Sequence, residues 1–417
     1  MARFLFVVPP LAGHVNPTVS VGRELVARGH AVAWTGHPEV VPDLIGADAG
    51  FLPVADAVPA EVLRAVVERS AGLRGPAALR FLWRDVLMPL AHTMLPGTHA
   101  AVEAFRPDAV IVDQQALAGA AVAERRGLPW ATSATTSAEL TDPLATMGKV
   151  GDWVQDQIRG FLVSAGLAPD HAAHVDPRFS PHLLLAFSTT ELVGDIAVPP
   201  QTAFVGPSIT ARPDATPFPW EWLDDARPLV LVSLGTLNWQ DGERFFARAV
   251  EALAALDVQG VVVAPPDMVA TVPPNVLVRP RVPQLALLSR TAAVVTHGGH
   301  NTVCEALAHG LPLVVAPIRD DQPIIAAQVV AAGAGVRVKF GRVRTEGLRA
   351  ALDLVLTGPD HRAAAARVQA SFAAAGGAAA AAGHLEQLVA KRAGSTSSRP
   401  GVAGTAGATA SEEVTWT

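Results

Sequence analysis

Two doubly wound, parallel α/β domains are what this sequence predicts, and three observations lead there. Short continuous apolar runs, such as Phe4–Val8 and Leu229–Ser233, read as strands buried on both faces. Each run is followed by a capped helical stretch and then another strand, the repeat that builds a parallel sheet. Between residues 207 and 228 the pattern breaks, with Pro207, Pro213, Pro217, Pro219 and Pro228 close together, as in a linker between two halves. A chain of 417 residues also exceeds one ordinary core, since domains run to about 100–200 residues.

The elements follow in order. After strand Phe4–Val8 comes a loop, Pro9–His14. Asn16-Pro17 then supplies a cap and a first-position proline for a helix to about Arg28, stopped by Gly29. Ala31–Thr35 is the next strand. Glu61–Met94 mixes helical stripes with loop signals. Asp108–Val112 is a strand, Ala116–Arg126 a helix ended by Gly127, and Trp130–Ser133 the strand after it. Beyond the linker, Leu229–Ser233, Gly260–Ala264, Ala292–Thr296 and Leu313–Ala316 are strands, with a helix over Thr302–His309. Ala363–Arg392 is an alanine-rich helical region broken at Gly376-Gly377. The expected division is an N-terminal domain at 1–206, a linker at 207–228 and a C-terminal domain at 229–375. A helix at 376–392 is expected to pack back towards the first domain, and 393–417 to be a disordered tail.

Composition narrows the function classes. Half of the residues are hydrophobic and 17% charged, which excludes a largely disordered chain. The net charge of -6 offers no basic field for nucleic acid. A single cysteine, Cys304, excludes an intramolecular disulfide and fits a reducing cytoplasm, the expected location. No stretch nears the ~18–20 apolar residues of a spanning helix. The absence of tyrosine excludes a Tyr acid and a Tyr-Lys oxidoreductase pair. None of Lys149, Lys339 and Lys391 lies in a Walker A context, and neither Gly-x-Gly-x-x-Gly nor Gly-x-Ser-x-Gly occurs where it would carry chemistry. His171-x-x-His174 lacks a third ligand at a useful spacing and reads as a polar loop.

The strongest local signal is Ala292–Gly310. A buried strand runs into His297-Gly298-Gly299, and Asn301 and Thr302 are good caps for the helix that follows. A strand, a glycine turn and a helix start with free amides make an anion site suited to phosphate. Glu305, one turn on, is placed to accept hydrogen bonds from a ribose.

Those residues, with Pro283-Gln284, Gly310-Leu311-Pro312, Pro317 and Asp321-Gln322, resemble the donor-binding signature of nucleotide-sugar-dependent glycosyltransferases. The chain is most similar to the inverting GT-B group of bacterial natural-product and macrolide enzymes, relatives of the plant secondary-metabolite ones. Gly13-His14-Val15-Asn16-Pro17 and the linker position extend the resemblance over nearly the whole chain. It implies two Rossmann-like domains facing across a cleft. It implies that His297 and the turn through Gly299, Asn301 and Thr302 bind a diphosphate and that Glu305 binds the ribose. Asp321 and Gln322 would hold the transferred sugar, while Val282 and Gln284 border the base. Ser233, Gly235 and Thr236 would form a second diphosphate loop. Arg281 stands where the family often stacks a Trp on the base, which leaves uracil and thymine, and so UDP and dTDP, both open. His300 stands where the plant enzymes carry Trp.

Transfer of a sugar to a hydroxyl needs a base, and histidine has a suitable pKa. His14 lies just beyond the end of the first strand, where open α/β sheets bind ligands, and Asp113 ends another strand at the same edge. Taken alone, His14 also fits a loop-capping histidine and Asp113 a cap for the helix at 116–126. The resemblance pairs them as general base and orienting carboxylate. It implies metal-independent inversion with no cofactor beyond the nucleotide-sugar co-substrate. The expected acceptor is an apolar polyketide, macrolide or terpenoid alcohol, contacted by Phe81, Trp83, Met88, Thr135, Met147 and Trp153. A monomer or homodimer is expected. A nucleotide-sugar epimerase of the same fold and a non-catalytic partner protein are the alternatives.

Overall fold

The computed structural model describes residues 1–54, 57–69, 73, 75–141, 144, 147–209, 216–235 and 242–397. Thr236 and residues 398–417 lie outside them. The first sheet holds β1 (Arg3–Val7), β2 (Ala31–Gly36), β3 (Gly50–Pro53), β4 (Ala109–Asp113), β5 (Trp130–Ala134), β6 (Leu184–Ala186) and β7 (Thr202–Phe204). The second holds β8 (Leu229–Ser233), β9 (Gln259–Val263), β10 (Val276–Arg279), β11 (Ala293–Thr296), β12 (Leu313–Val315) and β13 (Gly335–Arg337). Their orders are β3-β2-β1-β4-β5-β6-β7 and β10-β9-β8-β11-β12-β13, with every pairing parallel. This is the two-domain, doubly wound architecture that the apolar runs imply.

Strand order reverses between β1 and β4 in the first sheet, and between β8 and β11 in the second. In such sheets, ligands bind beyond the carboxyl ends of the strands that flank the reversal. His14 follows β1 and Asp113 ends β4. Ser233 ends β8, and His297 follows β11. The topology thus places the functional residues of each half at its own crevice.

Three boundaries differ from expectation. The first helix spans Ala12–Ala27, so His14 sits in its first turn and Pro17 is inside it. The helix after β11 spans His300–Ala308 with Gly299 in extended conformation at its cap position, so Asn301 and Thr302 are inside the first turn. The last helix spans Gly377–Ser397, ending five residues past the expected 392.

That last helix buries Ala378, Ala381, Ala382, Leu385 and Leu388 in the same core as Phe4, Phe6 and Trp34 of the first domain. Arg28 donates to Glu386 at 2.8 Å and to the Ala379 carbonyl at 2.9 Å, and His30 Nε2 lies 2.9 Å from Glu386. These partly exposed ion pairs add little beside the apolar contact. On the linker side, Phe218, Trp222 and Leu223 pack against the second domain's core. The Gln259 side chain holds that segment, accepting from Asp224 N at 2.6 Å and donating to the Trp222 carbonyl at 3.0 Å.

Candidate active site

The site begins with a helix that tolerates an internal proline. Pro17 has no N–H, so the carbonyl four residues back, that of Gly13, loses its helical partner. Asn301 Nδ2, from the other domain, donates to that oxygen at 2.7 Å. The early helix start carries His14 into the crevice. Its Nδ1 lies 2.9 and 3.0 Å from the two oxygens of Asp113, which is fully buried at the end of β4. Asp113 also accepts from Gln115 N at 2.9 Å and from Thr135 Oγ1 at 3.0 Å, and Thr135 Oγ1 is 2.9 Å from His14 Nδ1.

A buried histidine would ordinarily lose its proton more easily. Burial does act in that direction on His14, but the Asp113 charge and hydrogen bond, helped by Glu139 and Asp321, outweigh it and raise the pKa above 6.5. With Nδ1–H facing Asp113, the neutral ring presents Nε2 as its basic atom.

The segment after β5 ties this pair to the second domain. Thr136 Oγ1 donates to Asp321 Oδ2 at 2.6 Å, and Ser137 Oγ donates to Gln328 Oε1 at 2.6 Å. His300 is buried between Ser137 Oγ at 3.4 Å and the Phe187 carbonyl at 3.3 Å. Burial lowers its pKa, which makes it a neutral connector between domains. Glu139, two residues after Ser137, has its carboxyl pushed up to about 7, chiefly by burial and against the pull of Arg178 and His14.

On the donor side, glycines decide where His297 can sit. A Cβ on Gly235 would come within 2.7 Å of its ring, and one on Gly299 within 2.5 Å. Any larger residue at either place would evict the imidazole. His297 is buried beside the Ser233 carbonyl, which takes a hydrogen bond from it. Burial lowers its pKa to about 4 despite the nearby Asp321. Ser233 itself is buried, with Oγ accepting from Gly235 N at 3.4 Å.

Glu305 is buried and accepts from Gln284 Nε2 at 2.6 Å, so the expected ribose and base residues are already linked. Asp321 lies at the junction through Thr136. Gln322 turns its amide oxygen onto its own loop, accepting from Ile318 N and Arg319 N at 2.9 and 3.0 Å. Arg281 is exposed, Val282 is packed in the second core, and Thr302 is half-buried. Thr236 lies outside the described residues.

The expected acceptor residues divide. Trp83 and Met88 are 4% and 8% exposed in the first domain's core, with Trp153 packed against it, so their side chains serve packing. Phe81 lies under the Arg69 guanidinium at 5.6 Å. Met147 is exposed. Thr135, expected at the acceptor, instead braces Asp113. Sequence reasoning missed Thr136, Ser137, Glu139, Gln328 and the Gly13 carbonyl. The polar run Thr132–Ser137 at a strand end was the available signal for the first two. His171, from the excluded metal reading, bonds Glu124 at 3.0 Å.

Comparison with known proteins bears on the family and the fold. Residues 247–388 match the family described as erythromycin biosynthesis protein CIII-like, C-terminal domain. The chain is 33% identical to 4'-demethylrebeccamycin synthase of Lentzea aerocolonigenes, across 93% of this chain and 100% of that one. It is 31% identical to demethyllactenocin mycarosyltransferase of Streptomyces fradiae, across 94% of this chain and 88% of the relative. The crystal structure of the glycotransferase of kitacinnamycin superposes with a TM-score of 0.76 at 28% identity, covering 93% of this chain and 99% of that one. VinC in complex with dTDP, at 21% identity and a TM-score of 0.72 over 93% of this chain and 100% of its own, shares the fold.

Proposed function

Because the chain belongs to the bacterial natural-product glycosyltransferases, we propose that it moves a hexose from a UDP- or dTDP-sugar to a hydroxyl of an apolar natural product with inversion. The observation that carries this is the His14–Asp113 contact, set at the strand-order reversal of the first sheet, beside Thr136, which reaches Asp321 across the cleft. The relatives include a 4'-demethylrebeccamycin synthase and a demethyllactenocin mycarosyltransferase, which favours a polyketide, macrolide or similarly apolar natural product as acceptor.

The residues divide the work. His14 Nε2 takes the acceptor proton as its oxygen attacks the anomeric carbon, and Asp113 stabilises the imidazolium that forms. Thr135 and Gln115 N hold Asp113 in place. Asp321 and Gln322 grip the sugar. The amides at the start of the His300–Ala308 helix, with His297, receive the diphosphate as it leaves. With those groups supplying the charge stabilisation, the proposed reaction uses no metal and no cofactor beyond the nucleotide-sugar. Direct displacement turns an α-linked donor into a β-glycoside. Incubating UDP- and dTDP-hexoses with an acceptor library, with and without EDTA, tests the reading by mass spectrometry. Glycosides formed in both conditions support it; none from any donor would sink it.

A further inference from the structure

Where the linker leaves the first domain, a small pocket lies between Asn16 and Pro17 of the first helix, Ser208 of the linker, and Asn301, Cys304 and Glu305 of the helix after β11. Its volume of about 20 Å³ leaves room for a group of the size of a hydroxyl. Ser208 is 7% exposed, and its Oγ has no hydrogen-bond partner among the described residues. A buried hydroxyl in that condition costs stability, and alanine in its place would remove the cost. Glu305, opposite, already accepts from Gln284, but a carboxylate accepts about four hydrogen bonds. Glu305 stands one helical turn beyond Asn301. A ligand whose phosphates sit at the start of that helix therefore lays its ribose over this pocket.

We infer that Ser208 is a nucleotide-recognition residue contributed by the interdomain linker, taking one ribose hydroxyl of the donor jointly with Glu305. The inference rests on the nucleotide-sugar reading above and adds a residue that no loop of either sheet supplies. A serine hydroxyl both donates and accepts, so it can donate to the ribose oxygen while Glu305 accepts the ribose proton. The ribose 2'-hydroxyl and 3'-hydroxyl share that chemistry.

Titration calorimetry on the full chain and on Ser208→Ala, using UDP, 2'-deoxy-UDP and dTDP, separates the cases. Loss of one neutral hydrogen bond should weaken UDP binding about 3- to 10-fold. If the 2'-hydroxyl is the one bound, wild type prefers UDP to 2'-deoxy-UDP and the variant loses that preference. If it is the 3'-hydroxyl, the variant binds all three more weakly. Without ligand, the variant should melt at the wild-type temperature or above. Equal binding by wild type and variant would overturn the inference, and so would a lower melting temperature with unchanged affinity. Wild type binding none of the three nucleotides would instead overturn the function on which the inference rests.

Discussion

Asn301 Nδ2 donates to the Gly13 carbonyl at 2.7 Å, and that oxygen accepts it because Pro17, four residues on, has no N–H to claim it. A proline inside the helix thus becomes an attachment point for the opposite domain. Asn301→Asp would set a carboxylate against that oxygen and against any phosphate at the helix start. Nucleoside diphosphate binding should weaken by about 10-fold or more while the fold survives. Calorimetry and circular dichroism check this; unchanged affinity would remove Asn301 from the donor site.

The base must be neutral to act, and its pKa lies above 6.5. Activity should therefore fall on the acid side through an apparent pKa above 6.5. The charged groups that set this limb are Asp113, Glu139 and Asp321. Asp113→Asn removes the strongest raising influence, so the limb should move to lower pH while turnover drops. His14→Ala should lose about 10²- to 10⁴-fold in kcat with nucleotide affinity intact. pH profiles of kcat/KM for the three proteins decide the matter; a limb that stays put in Asp113→Asn would refute the pairing.

His297 is neutral at pH 7, with its pKa lowered to about 4, and its proton faces the Ser233 carbonyl. A diphosphate arriving beside the other ring nitrogen favours the charged form, so donor binding should take up a proton. Affinity should then strengthen as pH falls from 8 towards 6. Calorimetry of UDP or dTDP in buffers of different ionisation enthalpy reads the proton directly. Zero uptake would mean that His297 turns its single N–H to the phosphate instead.

Leu385 is fully buried on the last helix, against the first domain. Leu385→Ala should cost about 2–5 kcal/mol of stability. Glu386→Gln, at a partly exposed ion pair, should cost less than about 1 kcal/mol. Denaturant melts distinguish the two; equal effects would mean that the ion pairs fasten the helix.

The strands were legible because a parallel sheet is buried on both faces, which writes them as apolar runs such as Leu229–Ser233. The donor signature was legible because His297, Gly299, Asn301 and Glu305 are consecutive in one strand–turn–helix. Helix starts were not. Asn16-Pro17 has the composition of a cap, and the hydrogen bond that replaces the one the internal proline cannot make comes from another domain. Thr136 and Ser137 were hidden for the same reason, since their partners Asp321 and Gln328 are far along the chain. Trp83 and Met88 have the composition of a pocket and the burial of a core, which residue type alone does not separate.

The closing helix, Gly377–Ser397, has consequences for anyone recombining such enzymes. Its sequence belongs to the second half and its apolar face to the first, where it packs on the helix Ala12–Ala27 in the core that holds Phe4, Phe6 and Trp34. A chimera cut at the linker would pair this helix with a foreign surface. The unit of exchange is therefore discontinuous: the first half has to travel with the helix that seals it, or the graft opens a core that neither parent exposes.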